Sequence, residues 1–324
     1  MADKDITVIT QRDYKNVKAL RMENSKLSLT ILPAQGGKTV SIYHKLKDFE
    51  LLYVNTSENV SSNQLGNSFS EGDACGFDDA FPSIDEGLVV IDDNKYHYPD
   101  HGEIWTAPMN AYVVTTEEDE EQQEIVLSYG SRILPYHYEK RISLKEETVT
   151  YHYHIINTGD FDFPCLWAFH CLVHYEEDMQ LIYPAETKEF FNAMYSPQLK
   201  EEGLIYSIDN GNYDFHRVPA IDSKTMVKYY LQNDVSEGRC GYHYPSKGVT
   251  CNIIYDETKL PYLGFWITAG GYRGEYNCAL EPANGFYDSI AKAMEHNKCF
   301  TLKKGESLDF DIHMSLTTSS IEKG

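Results

Sequence analysis

Alternation of apolar and polar residues with a period of two recurs along this chain and limits what it can fold into. In Val149-Thr-Tyr-His-Tyr-His-Ile155, the residues Val149, Tyr151, Tyr153 and Ile155 share one face, and Thr150, His152 and His154 share the other. In Leu308-Asp-Phe-Asp-Ile-His-Met314, the apolar set Leu308, Phe310, Ile312 and Met314 opposes Asp309, Asp311 and His313. A strand sends successive side chains to opposite sides, so each run reads as an antiparallel strand with one face in a core. Comparable runs occupy 26–32, 38–43, 107–115, 124–132, 136–144, 226–232 and 249–255. Turn signals part the strand patterns: Gly36-Gly37, Asp92-Asp-Asn94, Thr158-Gly-Asp160, Asn210-Gly-Asn212 and Gly270-Gly271. One helix is expected over 286–295, where Phe286, Ile290 and Met294 form an apolar stripe. The expectation is an all-β chain, a large antiparallel β-sandwich with few short helices. No repeat, low-complexity linker or Pro-rich hinge divides it, so residues 1–324 read as one domain.

Composition narrows the partners. Hydrophobic residues make up 42% of the chain, enough for a sizeable core. The formal net charge of −22 disfavours nucleic acid and anionic membrane surfaces, both of which need basic patches. No apolar run approaches the ~18 residues of a membrane-spanning helix. The start, Met1-Ala-Asp-Lys-Asp-Ile-Thr7, carries no secretory apolar segment. Seven scattered cysteines, as in Val-Thr-Cys251-Asn-Ile-Ile, read as reduced buried thiols, and the expected location is cytoplasmic. No Cys-x-x-Cys pair supports a zinc site. The acidic run 117–121 reads as a solvated hairpin tip.

The chemistry concentrates near the end of the chain. Pro261-Tyr-Leu-Gly-Phe-Trp-Ile267 and Asn277-Cys-Ala-Leu-Glu-Pro-Ala283 read as two apolar strands joined by a Gly-rich turn. The second delivers a single carboxylate, Glu281. A Glu there is either solvated at a strand end or held for chemistry. Trp266 supplies a flat apolar surface of the kind a sugar ring stacks on. His170, in Leu166-Trp-Ala-Phe-His-Cys171, reads as a hydrogen-bonded core histidine or as an acid/base partner. With His174 it could also ligate a metal, but no acidic third ligand follows at a recognisable spacing. His152-Tyr-His154 resembles the start of a cupin metal site but lacks the Glu that should follow, so a polar strand face is the plainer reading. His101, in Asp100-His-Gly-Glu-Ile-Trp105, sits in a loop. Gly76-Phe-Asp-Asp-Ala-Phe-Pro82 is either a solvated loop or a sugar-binding rim, in which Asp78 and Asp79 accept bonds from hydroxyls. With 25 tyrosines in the chain, aromatic density by itself says little. No Gly-x-Gly-x-x-Gly, P-loop or Gly-x-Ser-x-Gly elbow is present, so nucleotide chemistry and serine hydrolysis lack support.

These pieces, in this order, resemble the aldose 1-epimerase (galactose mutarotase-like) family. The likeness covers Leu29-Thr-Ile-Leu-Pro-Ala-Gln-Gly-Gly37, the His101-Gly102 loop, Asn157-Thr-Gly-Asp160, Leu260-Pro-Tyr-Leu-Gly-Phe-Trp266, Leu280-Glu-Pro282 and Lys304-Gly-Glu306. The resemblance implies a large β-sandwich and a cofactor-free, metal-free enzyme that interconverts the α and β anomers of an aldose. It implies that Glu281 deprotonates the anomeric hydroxyl, that His170 protonates the ring oxygen, and that His101 assists there. Trp105, Trp167 and Trp266, with Asp78 and Asp79, are the expected sugar-binding residues. The chain departs from the family where an Arg ahead of the His loop is replaced by Phe77-Asp-Asp79. The family's sugar-binding Asp has three candidate counterparts, Asp209, Asp214 and Asp222. The expected substrate is a neutral sugar. The alternatives are a sugar-binding protein of the same fold without turnover and a hexose-6-phosphate 1-epimerase, which needs basic residues for phosphate. Oligomeric state is not indicated.

Overall fold

The computed structural model describes residues 6–72, 74–115, 122–209 and 211–318. The acidic run 117–121 and Asn210 lie outside them. Among the described residues the strands form a 13-stranded sheet, an 8-stranded sheet and two two-stranded pairs. The alternating run at 149–155 lies within the strand Thr148–Asn157, which pairs antiparallel with Ser307–Thr318, so that His152 faces Asp311 and His154 faces Asp309. Val149, Tyr151, Tyr153 and Ile155 are buried, and the alternate residues are not, as period two requires.

The two sheets pack face to face. From the smaller one come Tyr138, Tyr151, Tyr153 and Phe310, and from the larger one Phe77, Phe169, Leu280 and Phe265, all in one buried cluster. Burying each such side chain contributes about 1.5–3 kcal/mol relative to exposure. The cysteines are all free; six are buried and Cys299 is half-buried.

The strand Phe77–Ala80 corrects one expectation. Asp78 and Asp79 are not on a loop. Phe77 and Phe81 point into the core, and Asp79 shares their parity. It is buried between the sheets, where its carboxylate accepts bonds from Lys140 Nζ (2.8 Å) and Tyr153 OH (2.9 Å). Asp78 points the other way and pairs with buried Lys38 at 3.0 Å.

The helix is shorter than its pattern suggests. It runs Ile290–Glu295, and Met294 is 55% exposed rather than part of an apolar stripe. Tyr287, at φ 81°, breaks the run ahead of it. That break turns Asp288 toward the outer face of the larger sheet, where it meets Lys228.

Candidate active site

Three central strands of the larger sheet, Ala168–Cys171, Tyr276–Ala283 and Tyr262–Ala269, set the site by register. Ala168 pairs with Ala283, so two residues along the antiparallel ladder His170 stands opposite Glu281. Asp78 pairs with His170 on one side, and on the other Glu281 pairs with Gly264 and Gly264 with Tyr230. One row across five strands is therefore Asp78, His170, Glu281, Gly264, Tyr230. The next row carries Lys228, Trp266 and Ala279. These residues lie on the face turned away from the sandwich core, because their neighbours Phe169, Leu280, Phe265 and Tyr229 fill it.

Loops close over this face and leave a cavity of about 370 Å³, lined among others by Phe69, His101, His170, Trp266, Glu281 and Asp288. Its floor is dry. Glu281 is 1% exposed and His170 6%. His170 Nε2 lies 3.9 Å from Glu281 Oε1, and Lys228 Nζ lies 3.3 Å from Glu281 Oε2 and 2.9 Å from Asp288 Oδ2. Neither oxygen of Glu281 nor Nδ1 of His170 has an aligned hydrogen-bond partner among the described residues. Buried polar atoms left so are costly unless a ligand meets them.

The electrostatics follow from burial. Desolvation raises the Glu281 carboxyl above its ordinary value; Lys228 opposes it and Asp288 adds to it. Desolvation also holds the His170 imidazole well below its ordinary value, aided by His101, Lys228 and Lys38. For Lys228, burial pulls downward, but Asp288 and Glu281 outweigh it and hold the ammonium above its usual range.

His101 reaches the same space from the loop 99–103. It adopts φ 55°, and its Nδ1 meets Asp100 Oδ1 at 2.6 Å. Its ring stacks on Phe69 at 4.0 Å and meets His170 edge-on at 4.8 Å. Gly102, at φ 76°, is pressed against Phe81, whose carbonyl oxygen would lie 2.1 Å from any Cβ there. Glu103, 1% exposed, anchors the loop by accepting bonds from Tyr129 OH, Ser131 Oγ, Arg132 N and Tyr136 OH. Burial raises the Asp100 carboxyl, but the bonds it accepts from His101 and the Phe69 N–H outweigh this and hold it low.

The structure thus brings Glu281, His170, His101 and Trp266 together. It places the other expected residues elsewhere. Trp167 shares the parity of Phe169 and is fully buried between the sheets against Tyr153 and Phe310. Trp105 lies behind Phe69 and donates to the Asp100 carbonyl at 2.9 Å, so it supports the loop without lining the cavity. Asp78 and Asp79 are held by Lys38 and Lys140 and do not line it either. Nor do Asp209, Asp214 and Asp222. His152 and His154 pair with Asp311 and Asp309 at 2.6 Å each, and His174 with Glu176 at 3.0 Å. Among the described residues no group of three or more His, Cys, Asp or Glu is placed to hold a metal ion.

A family described as a domain of unknown function, DUF4432, matches residues 15–316. The chain belongs to the DUF4432 family. No curated protein matches it by sequence. Among solved structures it is similar to a galactose mutarotase-like protein from Clostridium acetobutylicum, at 14% identity and TM-score 0.73 over 97% of this chain and 99% of that one. It is similar to the Slr1438 protein from Synechocystis sp. PCC 6803, at 16% identity and TM-score 0.69 over 98% and 97% of the two chains. A galactose mutarotase related enzyme from Lactobacillus acidophilus aligns at 13% identity and TM-score 0.65 over 97% and 99%. The DUF4432 chain therefore has the galactose mutarotase-like fold.

Lys228 and Asp288 of this DUF4432 protein escaped the reading of its sequence. Lys228 carries the same signal as Glu281, a lone charge inside an apolar strand, Val227-Lys-Tyr-Tyr-Leu231. Asp288 carries none, because the helical pattern over it does not form. Gly264 also acquires a role. A Cβ there would lie 3.1 Å from Tyr230 Cε1 and 3.2 Å from Glu281 Oε2, so the bare backbone makes room for both side chains. Gly264→Ala displaces the carboxylate by tenths of an ångström. Misplacement on the scale of 1 Å can cost ~10²-fold in rate, so a loss of roughly tenfold is expected, with the melting temperature unchanged. Thermal melts and rate measurements on the variant check this, and full activity would contradict it.

Proposed function

We propose that this protein is an aldose 1-epimerase, interconverting the anomers of a neutral aldose by ring opening and closure. The observation that carries the reading is the pairing of Glu281 and His170 on the buried floor of the cavity, where Oε1 of the one lies 3.9 Å from Nε2 of the other and both oxygens of Glu281 are unsatisfied. Mutarotation moves one proton off the anomeric hydroxyl and one onto the ring oxygen. Both oxygens are bonded to C1, so the base and the acid must stand side by side. Glu281 Oε1 takes the hydroxyl proton as the C1–O bond of the ring breaks and the carbonyl forms. His170 Nε2 gives its proton to the departing ring oxygen. Rotation about the C1–C2 bond and the reverse transfers close the ring to the other anomer and restore both groups. His101, edge-on to His170, borders the ring oxygen's side. Trp266 offers the apolar face of the sugar a flat surface.

One proton shared by two groups defines the competent state. A carboxylate with an imidazolium and a carboxylic acid with a neutral imidazole carry the same total charge, so the pair titrates as a unit and the rate follows a bell in pH. The preference for a neutral sugar rests on Asp85, Asp100, Asp288 and Glu275 around the cavity, whose two lysines are committed elsewhere. Lys228 is held by Asp288 and Glu281, and Lys292 by Glu202 at 2.5 Å. A phosphate dianion meets repulsion there.

Polarimetry tests the reading. Freshly dissolved α-anomers of a panel of neutral aldoses should reach equilibrium rotation faster in proportion to added protein, and their 6-phosphates should not. Acceleration of the phosphates over the neutral sugars would favour the hexose-phosphate reading. Sugar binding by calorimetry without any acceleration across the panel would favour a binding protein.

A further inference from the structure

Lys228 stands in the cavity beside the base, and the acid/base exchange just described gives it no part. It projects from the strand Thr225–Leu231 in the row adjacent to Glu281, and it is 9% exposed. Its ammonium bridges two carboxylates, Glu281 Oε2 at 3.3 Å and Asp288 Oδ2 at 2.9 Å. Asp288 is held in turn by the Tyr230 hydroxyl. Tyr230 projects from the same strand two residues on, so one strand supplies the bridging ammonium and also holds the Asp288 end of the bridge. The remaining oxygen, Oε1, is the one turned toward His170 Nε2. We infer that Lys228 is a positioning residue of the proposed reaction, clamping Glu281 by Oε2 so that Oε1 alone is presented to the sugar. The inference rests on the epimerase reading and adds to it a residue for which proton exchange between a Glu and a His makes no demand.

The clamp has an electrostatic consequence. A carboxylate in a desolvated cavity tends to take up a proton, and a protonated Glu281 is no base. The groups that face Glu281 are His170 from its neighbouring strand, Lys228 and Tyr230 from beyond Gly264, Asp288 from the break before the helix, and His101 from the loop above. Of these, Lys228 is the cation closest to the carboxylate, and Asp288 is the negative group that draws it partly away. The ammonium disfavours a proton on both Glu281 and His170, but its contact is with the carboxylate, 3.3 Å from Oε2, so its main effect is to keep Glu281 ionised, as the ring opening needs. Lys228 and Asp288 act on Glu281 with opposite signs, and this separates a positioning role from a purely structural one.

The experiment is a pH titration of the Glu281 carboxyl carbon by NMR in protein labelled with [¹³C]glutamate, the signal being assigned by its loss in Glu281→Gln. An opposite charge within a few ångströms moves a carboxyl midpoint by about 1–3 pH units, so Lys228→Met should raise the midpoint by that order. Lys228→Arg should keep it near the wild-type value. Asp288→Asn, which leaves the ammonium wholly to Glu281, should lower it. In polarimetry the acidic limb of the pH–rate profile should move with the midpoint, with kcat falling more than KM rises. An unchanged midpoint in Lys228→Met, or shifts of the same sign in Lys228→Met and Asp288→Asn, overturns the inference. If Lys228→Met does not fold, Lys228→Arg and Asp288→Asn still decide it by the sign of the Asp288→Asn shift. If the midpoints shift as stated but the unmodified protein accelerates no sugar, the epimerase reading fails and the catalytic role of Lys228 fails with it, while the clamp on Glu281 stands.

Discussion

Glu281→Gln should slow mutarotation by about 10²–10⁴-fold, the usual contribution of a positioned general base, while sugar binding persists. The variant should also melt no lower than the wild type at neutral pH. The sign follows from the direction of the shift. Burial raises the Glu281 carboxyl above its ordinary value, with Lys228 opposing and Asp288 adding. A carboxyl raised in the folded state contributes stability that is fully present below its unfolded value of about 4.3 and is lost as pH rises through the folded value. Gln cannot ionise, so the variant loses nothing over that range, and the difference in melting temperature should shrink toward acid. His170→Asn should lower the rate comparably by removing the proton donor. Its stability effect runs the other way along the pH axis. Burial, with His101, Lys228 and Lys38, holds the imidazole well below its ordinary value in the fold. Stability is thus at its full value above the unfolded value of about 6.5 and is lost as pH falls below it, and Asn removes that acid sensitivity. Wild-type rates in a folded Glu281→Gln protein would refute the assignment of the base.

Lys140→Met should cost about 3–5 kcal/mol of stability, the penalty for leaving one member of a buried ion pair uncompensated. Lys140 and Asp79 are both fully buried between the sheets, 2.8 Å apart, and the Tyr153 hydroxyl also donates to the carboxylate. The ammonium also sits 4.3 Å from the centroid of the Phe77 ring. Without it the strand Phe77–Ala80 carries an unpaired charge into the core. That strand pairs with Ala168–Cys171, which holds His170, so the damage reaches the site through the ladder. Urea denaturation should show a markedly lower midpoint for Lys140→Met. The double variant Lys140→Met/Asp79→Asn should recover much of the loss, because it removes the orphaned charge along with its partner. A single variant as stable as the wild type would mean that the pair is inert.

Much of the strand architecture was legible in the chain. Period-two patterns at 149–155 and 308–314 mark real strands with the expected faces inward, because a strand allows no other arrangement of its side chains. The carboxylate in Asn277–Ala283 was legible for a related reason: a single charge among apolar neighbours is out of place unless the fold provides for it. Parity could also have been applied to Trp167 and Asp79. Each shares the side of a neighbouring Phe that fills the core, and the pattern Phe77, Asp79, Phe81 already points Asp79 inward. The reading as a polar rim failed because two adjacent carboxylates resemble a loop until a buried lysine 61 residues away is known to meet one of them.

The sequence by itself determined the class of fold, the strands and the lone carboxylate at 281, since these depend on residues close together along the chain. Only the tertiary structure decided which residues share the cavity. The register that sets His170 opposite Glu281 joins strands more than 100 residues apart. The room that Gly264 leaves depends on its two neighbouring strands together. The turn of Asp288 toward Lys228 depends on a helix that starts later than its apolar pattern, at Ile290, because Tyr287 takes a left-handed conformation before it. Local patterns fix which face a side chain is on; which other side chains meet it there is set by long-range pairing, and no local period encodes that.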